Sequence, residues 1–180
     1  MSKLKNIDLR IVSELMKNSK ISDRQLAKKI GVSQPTVTRR RVRLEKQGLI
    51  EYTAIPNLAK LGYEIMAFSF SSWTTEAFSK LLQTGEFKRQ VQLFLSKHPN
   101  VIFATTGGSG LDGMNSASIS IHKDFADYAI LAREIRNTWG KYVAEFKSFI
   151  FALNSEDVVR QITFKHFPEH IQSTVAKTKA

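Results

Sequence analysis

A run of hydrogen-bonding and basic side chains between residues 33 and 43 is the part of this sequence best suited to binding a partner. It reads SQPTVTRRRVR. An arginine guanidinium can donate two hydrogen bonds to guanine, while Ser, Thr and Gln side chains can reach phosphates or base edges. The residues expected to contact DNA are Ser33, Gln34, Pro35, Thr36, Thr38, Arg39, Arg40 and Arg43.

Two short helices joined by a tight turn must position these residues. Ser22, followed three residues later by Gln25, forms a capping box and predicts the start of the first helix. Gly31 can end that helix. Ser33 can cap the second helix, whose first turn tolerates Pro35. Two helices around a glycine-containing turn, with a basic second helix, are typical of a helix-turn-helix.

The inner face of the second helix is expected to carry Val37 and Leu44. Arg41 falls on the same side, so its stem is expected to follow the edge of the core, and we do not count it as a DNA contact. A preceding helix, from about Asn6 to Asn18, has an apolar residue at every fourth position. Three helices can therefore close a small core.

The distribution of charge supports a polyanionic partner. The chain has 180 residues and a formal net charge of +11. Residues 1–60 contain 14 Lys and Arg against 5 Asp and Glu, whereas the remaining 120 residues contain 13 against 11. Most of the excess positive charge thus lies in the third of the chain that carries the helix-turn-helix pattern, as expected for a protein that binds double-stranded DNA.

Several classes of protein are disfavoured by composition and spacing. The chain has no cysteine, which excludes a disulfide framework and a zinc finger. It shows neither a signal-peptide pattern nor 18 consecutive apolar residues, so we expect a cytoplasmic protein without a membrane partner. The serines at positions 116, 118 and 120 share one strand face, with no histidine–carboxylate pair at a recognisable spacing. We therefore expect no enzyme, no catalytic residue, no metal and no cofactor.

The rest of the chain predicts an α+β fold. Leu49–Ile55 is β-branched and aromatic and is expected to form a strand at one edge of a wing. From residue 65 to residue 153 the pattern is β-α-β-β-α-β, which indicates a ferredoxin-like domain. The expected organisation is a winged helix-turn-helix domain at 1–55, a linker at 56–64, an oligomerisation or effector domain at 65–153, and a partly disordered C-terminal extension at 154–180.

Three segments resemble the Lrp/AsnC family of transcription regulators, the type of the leucine-responsive regulatory protein. They are IDLRIVSEL at 7–15, ISDRQLAKKIGVSQPTVTRRRVRLEKQGLIEYTA at 21–54 and LAKLGY at 58–63. The TVTRRR run is similar to archaeal members. The resemblance implies that the first domain binds DNA as a dimer. It also implies that the second domain mediates dimers or larger assemblies and, in many members, binds an amino acid.

The loop at 106–116 is longer and richer in glycine than the resemblance predicts. Two interpretations of the loop stay open. It is either a flexible hairpin loop, or a loop whose backbone lies close to a small ligand, with Asp112 binding an amine of that ligand. On the second interpretation the effector-binding residues are Gly107, Gly108, Gly110 and Asp112.

Together these features predict a sequence-specific DNA-binding transcriptional regulator that acts as a dimer or a multiple of dimers. Phenylalanines on the strands of the second domain are expected to be split between its core and the dimer interface; they include Phe68, Phe70, Phe149 and Phe151. One alternative is an amino-acid-handling enzyme or metabolic sensor that acts through the second domain. Another is an architectural DNA-binding protein without an effector.

Overall fold

The computed structural model of the protein describes residues 4–77, 86–108, 111–160 and 162–171. The chain divides into two compact units. The first ends at Ile55 and takes in the chain again from Arg160, and the second is Pro56–Val159. Each unit has its own secondary structure.

Three helices pack around an apolar core in the first unit. They are α1 (Asn6–Lys17), α2 (Asp23–Ile30) and α3 (Gln34–Lys46). The core consists of buried aliphatic side chains from all three helices and from one connection, namely Ile11, Leu15, Ile21, Leu26, Ala27, Ile30, Val37 and Leu44. The predicted inward positions of α3 are therefore confirmed.

The helix boundaries follow the predicted capping residues. The Ser22 hydroxyl accepts a hydrogen bond from the Gln25 amide at 3.3 Å, and the Gln25 side chain accepts one from the Ser22 amide at 3.2 Å. Gly31 ends α2 with a φ of 71°, a left-handed conformation that costs a glycine little. Pro35 lies in the first turn of α3, where a missing N–H breaks no helical bond.

The strand expected at Leu49–Ile55 is not formed, and this prediction was wrong. The segment has no regular secondary structure, and Leu49 is 42% exposed and Ile55 58% exposed. A strand needs a hydrogen-bonded partner, and the described part of the first unit has no second strand. Strand-forming composition alone therefore does not produce a strand here.

The second unit is a four-stranded antiparallel sheet with two long helices. Its strands are β1 (Ile65–Trp73), β2 (Val101–Thr106), β3 (Ser116–His122) and β4 (Val143–Ala152), and its long helices are α4 (Glu86–Lys97) and α5 (Phe125–Trp139). Short helical turns lie at Ala59–Leu61, Thr75–Ala77 and Leu111–Gly113. The strand order is β2-β3-β1-β4, with all neighbours antiparallel. This arrangement confirms the α+β class and the ferredoxin-like sheet.

The two helices cover one face of the sheet. Tyr128 of α5 donates a hydrogen bond to Ser148 at 2.7 Å, and Ser148 is paired with Ser69 across the sheet. On the same face, Trp73 packs edge-on against Phe87 of α4, with ring centroids 4.7 Å apart. Small serines thus make room for the helices along this face.

The opposite face of the sheet, called the open face here, carries neither of these helices. By strand register it presents Phe68, Phe70, Phe103, Ile119, Phe149 and Phe151. Four of the five phenylalanines on β1 and β4 were expected to be split between core and interface, namely Phe68, Phe70, Phe149 and Phe151. They instead share the open face, because Phe68 is paired directly with Phe149 and the others lie two residues away along their strands.

Candidate nucleic-acid interface

The outermost row of α3 faces solvent and combines positive charge with apolar surface. Pro35, Arg39, Val42 and Lys46 are spaced four, three and four residues apart, so they lie along one stripe of the helix. All four are exposed. A shallow depression on this side is lined by Gln34, Pro35, Thr38, Arg39 and Val42.

Two side-chain hydrogen bonds shape the first turns of α3. Ser33 occupies the cap position, but its hydroxyl is bonded to the Thr36 hydroxyl at 2.9 Å rather than to a backbone amide. Thr38 donates to Asp23 of α2 at 2.6 Å. These contacts fix the three side chains, so Gln34 and Arg39 carry the free polar groups of the depression within the described residues.

Arg40 and Arg43 are bound by a buried carboxylate. The Asp8 side chain is fully buried, and its two oxygens lie 2.8 Å from Arg40 Nη1 and 2.7 Å from Arg43 Nη2. The Lys5 amide donates a further hydrogen bond at 3.0 Å. Burial raises the pKa of Asp8, but hydrogen bonds from Arg40 and Lys5 and the two guanidinium charges outweigh it, so the pKa lies below its ordinary value.

Arg41, which was not counted among the predicted DNA contacts, holds the chain after α3 against the helices. Its guanidinium donates to the Tyr52 hydroxyl at 2.6 Å, to Asp23 at 3.1 Å and to the Ile21 carbonyl at 3.3 Å. It also lies over the Tyr52 ring, 4.9 Å from the centroid. This arginine is therefore a structural residue of the first unit.

The structure thus separates the three arginines among the eight predicted contact residues into two groups. Arg39 is exposed and has no ion-pair partner among the described residues, whereas Arg40 is only 17% exposed and Arg43 40% exposed, both against Asp8. Sequence analysis missed Asp8, because no local spacing links it to an arginine 32 residues away. DNA contact by each of the eight residues stays a prediction.

The glycine-rich loop is held to the sheet by Asn115. The Gly108 amide donates to the Asn115 carbonyl at 2.8 Å, and the Asn115 side chain accepts from the Trp73 amide at 3.1 Å. Gly107 has a φ of 83°, and Asp112 is an exposed non-glycine residue with a φ of 54°. Gly110 lies outside the described residues, so the structure tests only three of the four predicted effector residues for position and none for binding.

A serine, a histidine and a carboxylate do come together on the helix-covered face, contrary to the sequence prediction. Ser120 Oγ lies 2.8 Å from His122 Nε2, and His122 Nδ1 lies 3.4 Å from Asp127 Oδ2. The spacing was missed because Asp127 comes from the following helix. Ser120 is 2% exposed and His122 is fully buried, and burial lowers the pKa of His122 despite the nearby Asp127. The arrangement links β3 to α5 without an accessible nucleophile.

Within the described residues, no cluster of three or more His, Cys, Asp or Glu side chains could hold a metal ion. The same residues contain no helix that is long and apolar enough to cross a membrane.

A helix-turn-helix unit with a basic third helix, followed by a ferredoxin-like sheet, defines a class of DNA-binding regulators. A family model described as winged helix-turn-helix DNA-binding matches residues 4–51. The chain is 38% identical over 102 residues to the transcriptional regulator LrpC of Bacillus subtilis, an alignment covering 56% of this chain and 64% of LrpC. It is 31% identical over 106 residues to an uncharacterized HTH-type transcriptional regulator of Pyrococcus furiosus, covering 57% and 71% respectively. The chain belongs to the Lrp/AsnC family of transcriptional regulators.

Solved structures share the fold over most of the chain. An AsnC family transcriptional regulator from Agrobacterium tumefaciens superposes with a TM-score of 0.69 at 19% identity, covering 89% of this chain and 93% of that one. A transcriptional regulator of Neisseria meningitidis, solved as its L-Met complex, superposes with a TM-score of 0.70 at 16% identity, covering 89% and 95%. Sequence alignment spans less than two thirds of LrpC, and 40% of the leucine-responsive regulatory protein of Rhizobium meliloti.

Proposed function

We propose that this chain is a sequence-specific DNA-binding transcriptional regulator that acts as a dimer or a multiple of dimers. The observation that carries the proposal is the outermost row of α3. Within the described residues Arg39 faces solvent without an ion-pair partner, while Arg40 and Arg41 have intramolecular partners. A free guanidinium on the exposed side of a recognition helix is suited to guanine in the major groove. In this proposal residues 1–55 bind DNA and residues 65–153 assemble the subunits.

Arg39 is expected to contribute to the choice of sequence as well as to affinity. Binding sites would first be enriched from random duplex DNA by the full chain. Arg39→Ala is then expected to lose about 1–3 kcal/mol on the enriched site and much less on random duplex at the same salt concentration. Arg133→Ala is the matched control, because Arg133 is an exposed arginine on α5 of the second unit. Equal losses on both DNAs, or no enriched sequence at all, would reject the proposal.

The open face supports the proposed dimer. Phe149 is 66% exposed and Phe103 50% exposed, although both lie on strands of a sheet that is covered on its other side. Exposed apolar side chains grouped in this way are typical of an interaction site. Two copies related by a two-fold axis would present two recognition helices to one DNA site, which predicts a pseudo-palindromic operator.

An amino-acid effector is proposed for the glycine-rich loop. The Neisseria meningitidis structure with L-Met shares this fold. In the present chain Asp112 is exposed in a loop anchored to the sheet, where its carboxylate is available to an ammonium group. The alternative is that the loop is a flexible hairpin that binds no ligand. The chain would then be an architectural DNA-binding protein without an effector.

Removing the Asp112 carboxylate is expected to abolish the response to an effector without abolishing DNA binding. The measurement is affinity for the enriched site with each of the twenty amino acids, for wild type and Asp112→Asn. A response in the wild type that Asp112→Asn lacks would support the assignment. A response that Asp112→Asn retains would place the effector site elsewhere in the chain, and no response to any amino acid would favour the architectural alternative.

An enzyme is not favoured, because the Ser120–His122 pair is buried.

A further inference from the structure

Val42 is an apolar side chain in the middle of a basic, solvent-facing surface. It interrupts the arginines of α3 and is 43% exposed. The core of the unit does not use it, because the buried positions of α3 are Val37 and Leu44. A valine in the outermost row of this helix therefore needs an explanation other than packing within the unit.

The neighbours of Val42 are those of a base-reading surface. Arg39 lies one turn before it and Lys46 one turn after it, along the same stripe. Gln34, Pro35 and Thr38 line the same depression. The Thr38 hydroxyl is bound to Asp23, which leaves Gln34 and Arg39 as polar groups for base edges. The surface thus has two polar side chains that can bond to bases, Gln34 and Arg39, beside an apolar patch of Pro35 and Val42.

The major groove offers one apolar group to such a patch, the C5-methyl group of thymine. The positive charge of the first 60 residues, with 14 Lys and Arg against 5 Asp and Glu, complements the phosphates on either side of the groove. We infer that Val42 is a specificity-determining residue that contacts a thymine methyl group, next to the base pair that Arg39 reads. This inference rests on the proposed DNA-binding function and names the base that the site selects.

The test removes the methyl group and the side chain separately. Each thymidine of the enriched site is replaced in turn by deoxyuridine, which lacks only the C5-methyl group, and affinity is measured for wild type and Val42→Ala. At one thymine of each half-site, wild type is expected to lose about fourfold per methyl group removed. Val42→Ala is expected to bind the thymine and uracil forms equally. Ile130→Ala, which removes an aliphatic side chain that is 46% exposed on α5, should behave as wild type.

Three outcomes decide the matter. A methyl effect that disappears in Val42→Ala supports the inference. No methyl effect at any thymine, or the same effect in wild type and Val42→Ala, overturns it while leaving the proposed function intact. Absence of any sequence-specific binding by wild type overturns the proposed function, and this inference with it. Alanine is a better helix former than valine, and the valine is exposed, so the variant keeps the fold for the comparison.

Discussion

Asp8→Ala is expected to destabilise the first unit by about 3 kcal/mol. The substitution removes a fully buried carboxylate and leaves Arg40, which is only 17% exposed, without its partner. Desolvating an unpaired guanidinium costs far more than losing an exposed ion pair. Chemical unfolding followed by far-UV circular dichroism would measure the loss. Tryptophan fluorescence separates the units, because both tryptophans, Trp73 and Trp139, lie in the second.

Two comparisons make the Asp8 prediction specific. Glu14→Ala also removes a carboxylate from α1, but the partners of Glu14, Lys17 and Lys29, are exposed. A loss of about 1 kcal/mol or less in unfolding free energy is therefore expected. The double variant Asp8→Leu/Arg40→Met should recover most of the stability, since the guanidinium that then stays unpaired, that of Arg43, is 40% exposed. A loss from Asp8→Ala no larger than from Glu14→Ala would contradict the role given to Asp8.

The ion pair between Asp8 and Arg40 also predicts that the stability of the first unit depends on pH. The pKa of Asp8 is depressed in the folded state, so its charged form is favoured by folding. The stability it contributes is present above its ordinary pKa of 3.8 and is lost as the pH falls below that value towards the folded-state pKa. Between wild type and Asp8→Asn, the difference in unfolding free energy should therefore shrink below about pH 4. A difference that is constant over this range would exclude the linkage.

Local patterns in the sequence were sufficient for the helices of the first unit and for the order of elements in the second. Capping residues such as Ser22 and Gly31 act within one turn of the chain, so their effect is readable from spacing alone. The strand at Leu49–Ile55 failed for a different reason. Its composition favours an extended chain, but strand formation depends on a partner that local sequence does not reveal.

The division of labour among the arginines of α3 could not be predicted from the sequence. Arg39, Arg40 and Arg41 are adjacent and chemically identical, yet Arg40 is bound to Asp8 and Arg41 to Tyr52 and Asp23. These partners come from other elements, and only the packing of the three helices brings them near. The net charge of the first 60 residues indicated a polyanion partner, but it did not show which arginine is free to read bases.

The open face of the sheet is the surface that we propose for the contact between subunits. A standard interface buries about 800 Å² from each partner, and a phenylalanine can bury about 150–250 Å². Phe149 and Phe103 are at least half exposed, and four further apolar residues share their face. An apolar surface of this composition can therefore supply a large part of a stable interface between two copies of the chain.

Phe149→Asp is expected to convert the dimer to a monomer and to weaken operator binding by roughly 100- to 10,000-fold. Linking two DNA-binding units makes the second binding event intramolecular, and that advantage of about 10²–10⁴ is lost in a monomer. A carboxylate within an apolar interface would be left desolvated and unpaired, which opposes association. Sedimentation at micromolar concentration and affinity for the enriched site are the two measurements.

Phe125→Asp is the matched control for this experiment. Phe125 is 61% exposed, close to the value for Phe149, but it begins α5, which packs on the helix-covered face. It should leave both the sedimentation and the operator affinity unchanged. The fluorescence of Trp73 and Trp139, which pack against each other on that same covered face, should be unaltered in Phe149→Asp, because the sheet and its helices still fold. If Phe149→Asp is a monomer and still binds the operator as tightly as wild type, one recognition helix suffices for binding. If wild type sediments as a monomer while binding its site, the dimer itself is refuted.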